Sequence, residues 1–400
     1  MLKILFVTPI YEPAWKMGGV VRAVSSLACG IRNLGHEVSV YTTNSNGKGW
    51  LDVPINIPLH KNGVKVWYFN TPFPKFYRYS KKLAQACKEN VNNFDIIHMA
   101  SFWNYPGIPA ARFATKYNIP YVISTFGTLT PEAINYKKFK KLIYMKFCEE
   151  NILKHCDAIH YETYLERLKM SYFKIRKPSF VIPSGLFFEE YENLPISSES
   201  KNYYGFSADA KIITFLGRLH KVKALDVLIK AFTKITTIYP ETNLILAGPD
   251  DGEEKFLKKL VNELNLNKQV RFIGPVSGEK KMKLFSSSDI FVLISHLENF
   301  GNAAIEAMAA GVPVLISENV GICDAVREDG AGLVVPVEED AISNALINMF
   351  SNSDRLKEMG RAAYLSARKR FDIKLVAKLT ATAYEDVLTG GRSPECNWAN

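Results

Sequence analysis

No run of about 18 consecutive apolar residues occurs anywhere in the 400-residue chain, so the sequence offers no bilayer-spanning helix. The apolar opening Met1 to Val7 is too short for a secretory leader and flows into a strand pattern, which favours a cytoplasmic location. Cysteine is sparse, six in all at 29, 87, 148, 156, 323 and 396, without a Cys-x-x-Cys pair or a regular framework. That excludes a disulfide scaffold and fits reduced thiols. His155 beside Cys156 lacks a second close pair, so local packing is expected there and no metal site. The Gly-x-Gly-x-x-Gly fingerprint of dinucleotide enzymes is missing too: only Gly18-Gly19 follows the first apolar run, after a long loop. Helix-turn-helix, zinc-finger and RNA-binding signatures are absent, so the formal net charge of +10 points away from nucleic acid. It points instead to an anionic membrane surface or anionic small substrates.

What is present is globular: 47% hydrophobic and 12% aromatic residues in a length sufficient for two domains. Lys3 to Val7, a helix from Val20 to about Leu34, and Glu37 to Tyr41 form a βαβ opening. Further strands are expected at Val64–Phe69, Asp95–Met99 and Pro120–Ser124. Residues 44 to 80 are otherwise irregular, and Ser184-Gly185 is a natural exit from the first domain. After a turn-rich stretch, strands at 211–216, 242–248, 270–274, 289–294 and 312–316 alternate with helices at 224–238 and 253–265. Helices at 341–350, 353–370 and 373–388 follow. The expected class is α/β, two doubly wound domains facing each other across a cleft. The domains run 1–183 and 184–372, with helix 373–390 a candidate to pack back on the first and 391–400 a tail.

The segment between two of those strands, Glu298-Asn299-Phe300-Gly301-Asn302 followed by Ala303 to Met308, reads as a loop and a helix start beyond the carboxyl end of a parallel strand. That is where such sheets bind ligands. Gly301 permits close backbone approach, Asn302 is a candidate helix cap, and the helix start would aim N–H groups at an anion. Glu298 and Glu306, eight positions apart, suit separate contacts on one extended polar ligand. Gly217-Arg218-Leu219-His220-Lys221-Val222-Lys223 leaves another strand at the same end, and its two cations, Arg218 and Lys223, suit a diphosphate. His98 near a strand's carboxyl end is open to catalysis or to a core position. Lysines 137, 138, 140, 141 and 146, mixed with Phe139, Leu142, Ile143 and Phe147 in the amphipathic stretch 131–155, read either as a solvated helix face or as a surface for an anionic bilayer.

Gly217-Arg218-Leu219 with Lys223, Phe272-Ile273-Gly274-Pro275, and Glu298 to Glu306 followed by Ala307-Met308-Ala309-Ala310-Gly311-Val312-Pro313 closely resemble the family 4 (group 1) retaining glycosyltransferases. The Gly18-Gly19 loop and Gly35-His36-Glu37-Val38 match the family's N-terminal half. The resemblance implies the GT-B architecture, with a nucleotide-sugar donor in the C-terminal domain and the acceptor mainly in the N-terminal one. It implies that Arg218 and Lys223 hold the donor diphosphate, Glu306 the ribose hydroxyls and Glu298 the donor sugar, these making Glu298, Arg218 and Lys223 the catalytic set. Backbone N–H groups of Phe300, Gly301 and Asn302 would meet phosphate or sugar, Ile273 would flank the base, and Gly19 would let the N-terminal loop approach the phosphate. The implied reaction is hexosyl transfer with retention, without a bound metal or other cofactor, from a donor expected to be UDP-linked. The implied acceptor is a saccharide or lipid-linked saccharide in surface polysaccharide synthesis, with peripheral contact to a membrane. One departure stands out: the loop that often carries a sugar-binding histidine reads Ser124-Thr125-Phe126-Gly127. Phe126 and Gly127 are therefore the sugar-loop candidates, with His98 and His296 as substitutes for the missing imidazole. The rival readings are a nucleotide-sugar epimerase or a phosphorylase on the same architecture, and a non-catalytic nucleotide-sugar-binding subunit.

Overall fold

The computed structural model describes residues 1–47, 49–72, 77–100, 102–135, 138–170 and 177–390. Lys137 and the tail 391–400 lie outside them. The chain divides into two compact units: residues 1–185 together with the helix from Ile373, and Leu186–Asp372. The first crossing falls two residues beyond the 183/184 expected from sequence. Ser184 is tied into the first unit through its hydroxyl and the Glu162 carboxylate, and Gly185 lies so close under Ile373 that a Cβ would stand 2.8 Å from its Cδ1.

The strands of the first unit are β1 (Lys3–Val7), β2 (Glu37–Thr43), a two-residue hairpin β3 (Ser45–Asn46) and β4 (Gly49–Trp50), β5 (Pro58–Lys61), β6 (Val64–Phe69), β7 (Ile96–Ala100), β8 (Tyr121–Ser124), β9 (Ala158–Tyr161) and β10 (Ser179–Val181). They form a sheet of order β10-β9-β8-β7-β1-β2-β6-β5, parallel except for the antiparallel pair β5–β6. Connections from β1 wind outward through β2 and β6 on one side and through β7 to β10 on the other, so the topological switch lies between β1 and β7. The second unit holds β11 (Lys211–Leu216), β12 (Thr242–Ala247), β13 (Val270–Gly274), β14 (Ile290–Leu293), β15 (Val314–Ser317) and β16 (Gly332–Val335). All are parallel, in the order β13-β12-β11-β14-β15-β16, with the switch between β11 and β14. Ile4, Leu5, Phe6, Ile213, Phe215, Phe291 and Val292 are wholly buried, as strands covered by helices on both faces require. β16 was not expected from sequence: its four residues, Gly332-Leu333-Val334-Val335, are a short apolar run between a glycine turn and a proline.

The C-terminal helix Ile373–Thr389 packs on Gly19–Asn33, where Gly30 gives the room, a Cβ there meeting Ile373 Cγ1 at 2.8 Å. Its Tyr384 also closes a buried polar chain through the sheet. Because the Ile182 carbonyl can only accept, the neutral arrangement is unique. His160 Nε2–H donates to Ile182 O (2.7 Å), the Ser124 hydroxyl to His160 Nδ1 (2.8 Å), His98 Nε2–H to Ser124 Oγ, and the Tyr384 hydroxyl to His98 Nδ1. Burial holds His98 well below the usual imidazole range, with His160 adding to it, and pushes His160 down to about 4. Unfolded histidines take up protons near pH 6.5, so between that pH and about 4 the unfolded chain binds more protons and stability falls with falling pH. The thermal midpoint should therefore be flat above pH 7 and drop below 6.5. Replacing His160 with glutamine should lower the midpoint at pH 8 and flatten the acid slope, and an unaltered slope would show that this histidine titrates normally.

A cavity of about 540 Å3 opens at the amino ends of β1, β2 and β6, between Trp67, Tyr41 and the helix Lys81–Asn90. It lies at the end of this first sheet away from the carboxyl ends of its strands.

Candidate functional site

The loops that leave the carboxyl ends of β11, β12, β14 and β15 are stitched to one another. Gly217 N–H bonds Ala247 O (2.9 Å), Leu219 N–H bonds Pro249 O (2.9 Å), and Asp251 N–H bonds Leu219 O (3.1 Å). Gly248, at φ +140°, sits so close that a Cβ would fall 1.8 Å from the Gly217 carbonyl oxygen. Across the switch point His296 N–H and the Ser295 hydroxyl both bond Val222 O, at 2.8 and 2.9 Å. Ser295 and Ser317 are joined twice, through N–H to Oγ at 2.9 Å and Oγ to O at 2.7 Å, and Glu298 pairs with Val320 by N–H to Asn319 O and O to Gly321 N–H. The His220 ring Nδ1 accepts from Val222 N–H at 3.1 Å and so caps the short turn Lys221–Lys223. This mesh fixes the backbone that carries the charged side chains.

Lys223 Nζ meets Glu298 Oε2 across the switch between β11 and β14, with only 11% and 21% of their side chains exposed. The two residues expected to share one ligand are thus brought together. Arg218 is at the same edge but exposed, and its guanidinium is engaged by Asp251. Glu306, in the second turn of the helix Asn302–Ala309, is paired at 3.0 Å with Lys281 of the helix Gly278–Ser287, and both side chains are nearly buried, at 7% and 8% exposure. Sequence reasoning missed Lys281 and Asp251. A signal for the first existed, because Lys281 shares the inward helix face with the buried Leu284 and Phe285, where a lysine needs a reason. Three ion pairs, Arg218–Asp251, Lys223–Glu298 and Lys281–Glu306, therefore join these loops and helices.

Gly301, not Asn302, caps the helix: it has φ +110° and no room for a Cβ, which would stand 2.9 Å from Val320 Cγ1. Asn302 is the first helical residue. The Phe300 ring is buried edge-on against Phe371 (5.8 Å between centroids), so the ring itself is withdrawn from any ligand at the loop. Ile273 is half-buried on β13 beside Phe206, Ile212 and Ile245. Arg271 is turned to the Tyr204 carbonyl and lies 3.9 Å over the Phe206 ring, a structural post.

In the first unit Gly19 opens the helix that follows β1, and Gly18 before it takes the positive φ (+93°). Phe126 and Gly127 both lie in the left-handed region, at φ +46° and +69°. Their loop is held by the buried Glu166, whose carboxylate accepts from the Thr125 hydroxyl, Gly127 N–H and Glu162 N–H. His98 is not in that loop: it is a core residue, 1% exposed, stacked on Phe6 and fully engaged by Tyr384 and Ser124. Its place in the middle of β7 puts it below the sheet's edge, so it is withdrawn as a sugar contact. His296 is exposed, at the edge of the second unit.

Two doubly wound parallel domains, with basic and acidic side chains meeting at a switch point of the second, define an α/β protein with a ligand-binding edge beyond the carboxyl ends of its strands. The match to glycosyl transferases group 1 covers residues 197–366, and that to glycosyltransferase family 4 covers residues 17–186. The chain belongs to this family, the group 1 glycosyltransferases. It is 27% identical over 400 residues to an uncharacterized glycosyltransferase of Methanocaldococcus jannaschii, covering 96% of this chain and 98% of the relative. To the phosphatidyl-myo-inositol mannosyltransferase of Mycolicibacterium smegmatis it is 27% identical over 386 residues, covering 94% and 92%. The sucrose-phosphate synthase of Thermosynechococcus elongatus superposes with a TM-score of 0.77 at 19% identity, over 97% of this chain and all of that one. The Anabaena protein HepE, solved with UDP and glucose, superposes with a TM-score of 0.75 at 19% identity, over 96% and 100%. These likenesses establish the GT-B fold.

Proposed function

We propose that the protein is a retaining glycosyltransferase that moves a hexosyl group from a UDP-linked donor, held by the second unit, to a saccharide or lipid-linked saccharide taken mainly by the first. The observation that carries this is the Lys223–Glu298 pair at the switch between β11 and β14, beside the helix start at Asn302. Lys223 and Arg218 neutralise the departing diphosphate, whose negative charge grows as the glycosidic bond breaks, and the helix start adds its dipole. Glu298, held against Lys223 and fixed by its backbone bonds to Asn319 and Gly321, presents a carboxylate to the donor sugar. Glu306, aligned by Lys281, takes the ribose hydroxyls. No enzyme nucleophile is required in this scheme: a leaving phosphate oxygen receives the acceptor proton on the same face of the sugar, which gives retention, and no metal is needed for it. The UDP base is supported by HepE's complex with UDP and glucose, and a lipid-linked acceptor by the phosphatidyl-myo-inositol in the name of the Mycolicibacterium smegmatis relative. The test is a transfer assay with the anomeric configuration of the product read by NMR. Transfer with retention is expected, with transfer itself lost in the Glu306→Ala variant, and an inverted product or an unaffected variant would contradict the scheme.

Arg218 is shared between Asp251 and the incoming diphosphate, so the carboxylate competes with substrate. Asp251→Asn should tighten UDP binding by a few-fold, since an exposed pair contributes up to about 1 kcal/mol. Calorimetry showing weaker binding in the variant would mean that Asp251 aligns Arg218 instead.

Peripheral membrane contact belongs to the same reading. No helix among the described residues is long and apolar enough to cross a bilayer. The segment Lys138–His155 nevertheless exposes Phe139 at 77% and Phe147 at 76%, with Leu142 and Ile143 on the same side and Lys138, Lys140 and Lys146 between them. Apolar rings left in water beside lysines suit the interface of an anionic bilayer. The wild type should float with vesicles containing anionic lipid and not with neutral ones, and the double substitution Phe139→Ser, Phe147→Ser should abolish this. Equal flotation of the two proteins would rule the surface out.

A further inference from the structure

Beyond the carboxyl end of β7, in the first sheet, a half-buried guanidinium stands without an anion among the described residues. Arg78 donates through Nη1 to Asn104 Oδ1, while its Nε is buried with no acceptor, and none of the ion pairs among the described residues includes it. Burial lowers its pKa, and no acidic neighbour contributes to the shift. Asn104 is oriented for this contact because its amide nitrogen donates to Phe102 O at 2.6 Å, which leaves the oxygen facing the arginine. The walls are aromatic and fixed. Tyr79 and Tyr105 lie 4.7 Å apart, Tyr77 and Tyr105 5.8 Å, and Tyr105 N–H bonds Tyr77 O at 3.1 Å. Trp103 is held by its N–H to Glu149 (2.8 Å) and its indole N–H to Thr128 O (2.9 Å). Arg78 and Trp103 both occupy the left-handed region, at φ +56° and +66°, a conformation unfavourable for such side chains that the surrounding bonds must enforce.

A partly buried cation without a counter-ion is costly unless a ligand supplies the charge. A guanidinium fork with free N–H groups, set among tyrosine rings, matches a planar or tetrahedral oxyanion carried on a sugar or polyol ring. We infer that Arg78 anchors an acceptor subsite for a saccharide bearing an anionic group, a phosphate ester or a carboxylate. This rests on the reading that the first unit takes the acceptor, and it narrows the acceptor's class.

The probes are glucose 6-phosphate, glucuronate and glucose, titrated calorimetrically into the full chain. One of the two anionic sugars is expected to bind where glucose does not, and which one it is separates phosphate from carboxylate. Arg78→Ala should weaken that binding at least about 10-fold, the loss of charge-assisted hydrogen bonds. Arg78→Lys should restore part of it, and Asn104→Asp, which offers the arginine a carboxylate of its own, should weaken it too. An unchanged thermal midpoint shows that each variant folds. Equal binding of all three sugars, no binding of any, or undiminished binding by folded Arg78→Ala overturns the inference. Titration with UDP separates the two readings: a wild type that binds the anionic sugar but not UDP keeps the Arg78 site and removes the proposed donor.

Discussion

Lys223→Ala is expected to lower the turnover number for sugar transfer about 100- to 1,000-fold, the range found when one donor to a developing anion is removed from an enclosed site. Lys223 is the less exposed of the two clamp cations, and its ammonium bridges the loops after β11 and β14 rather than hanging in solvent as Arg218 does. In the proposed scheme its charge acts most strongly when the leaving diphosphate gains charge, so the loss should fall on turnover more than on donor affinity. The substitution also strips Glu298 of its counter-ion. The double substitution Lys223→Ala, Glu298→Gln should therefore recover folding stability but not turnover. Steady-state kinetics with a donor-hydrolysis readout checks this, and a loss confined to KM would mean that Lys223 only binds the ground state.

Gly248→Ala should destabilise the second unit by about 4 kcal/mol or more, the scale reserved for a named steric or backbone fault. Two such faults coincide here. The added Cβ would lie 1.8 Å from the Gly217 carbonyl oxygen, and φ +140° is a region that side chains rarely enter. To make room, the loops after β11 and β12 must separate, which breaks Gly217 N–H to Ala247 O and shifts Arg218. Chemical denaturation should show the midpoint falling, with nucleotide binding lost before the unit unfolds. Wild-type stability would mean that the two loops are less closely apposed than described.

The parallel strands could be read from sequence because strands buried on both faces are written as unbroken apolar runs, as in Ile290–Leu293 and Val314–Ser317. β16 escaped because Gly332 opens it and Pro336 follows it, leaving only Leu333-Val334-Val335 as an apolar run between turn residues. The charged residues of the donor edge were legible as types at positions, but their pairing was not. Asp251 reaches Arg218 only because β12 lies beside β11, and Lys281 reaches Glu306 only because two helices meet, neither of which sequence spacing encodes. Asn302 was expected to cap its helix from propensity, yet the crowding by Val320 demands glycine one residue earlier. His98 shows the same limit. A histidine near the end of a strand suits either a core or a loop place in sequence, and only the C-terminal helix, arriving nearly 290 positions later with Tyr384, makes His98 a buried relay rather than a loop contact. Arg78 carried no motif at all, and its environment is assembled from segments after β6 and β7.

The central claim is that the second unit holds a uridine diphosphate sugar between Lys223, Glu298 and Glu306, and a thermal-shift titration with nucleotide sugars tests it most directly. Ligand binding only to the folded state at 100 times the Kd adds about 2.7 kcal/mol, which for a unit of this size raises the thermal midpoint by roughly 5–10 °C. Such a shift is expected with UDP or a UDP-sugar, and its loss in folded Glu306→Ala. No shift with any nucleoside diphosphate or nucleotide sugar at millimolar concentration, or a shift that Glu306→Ala leaves intact, would contradict it.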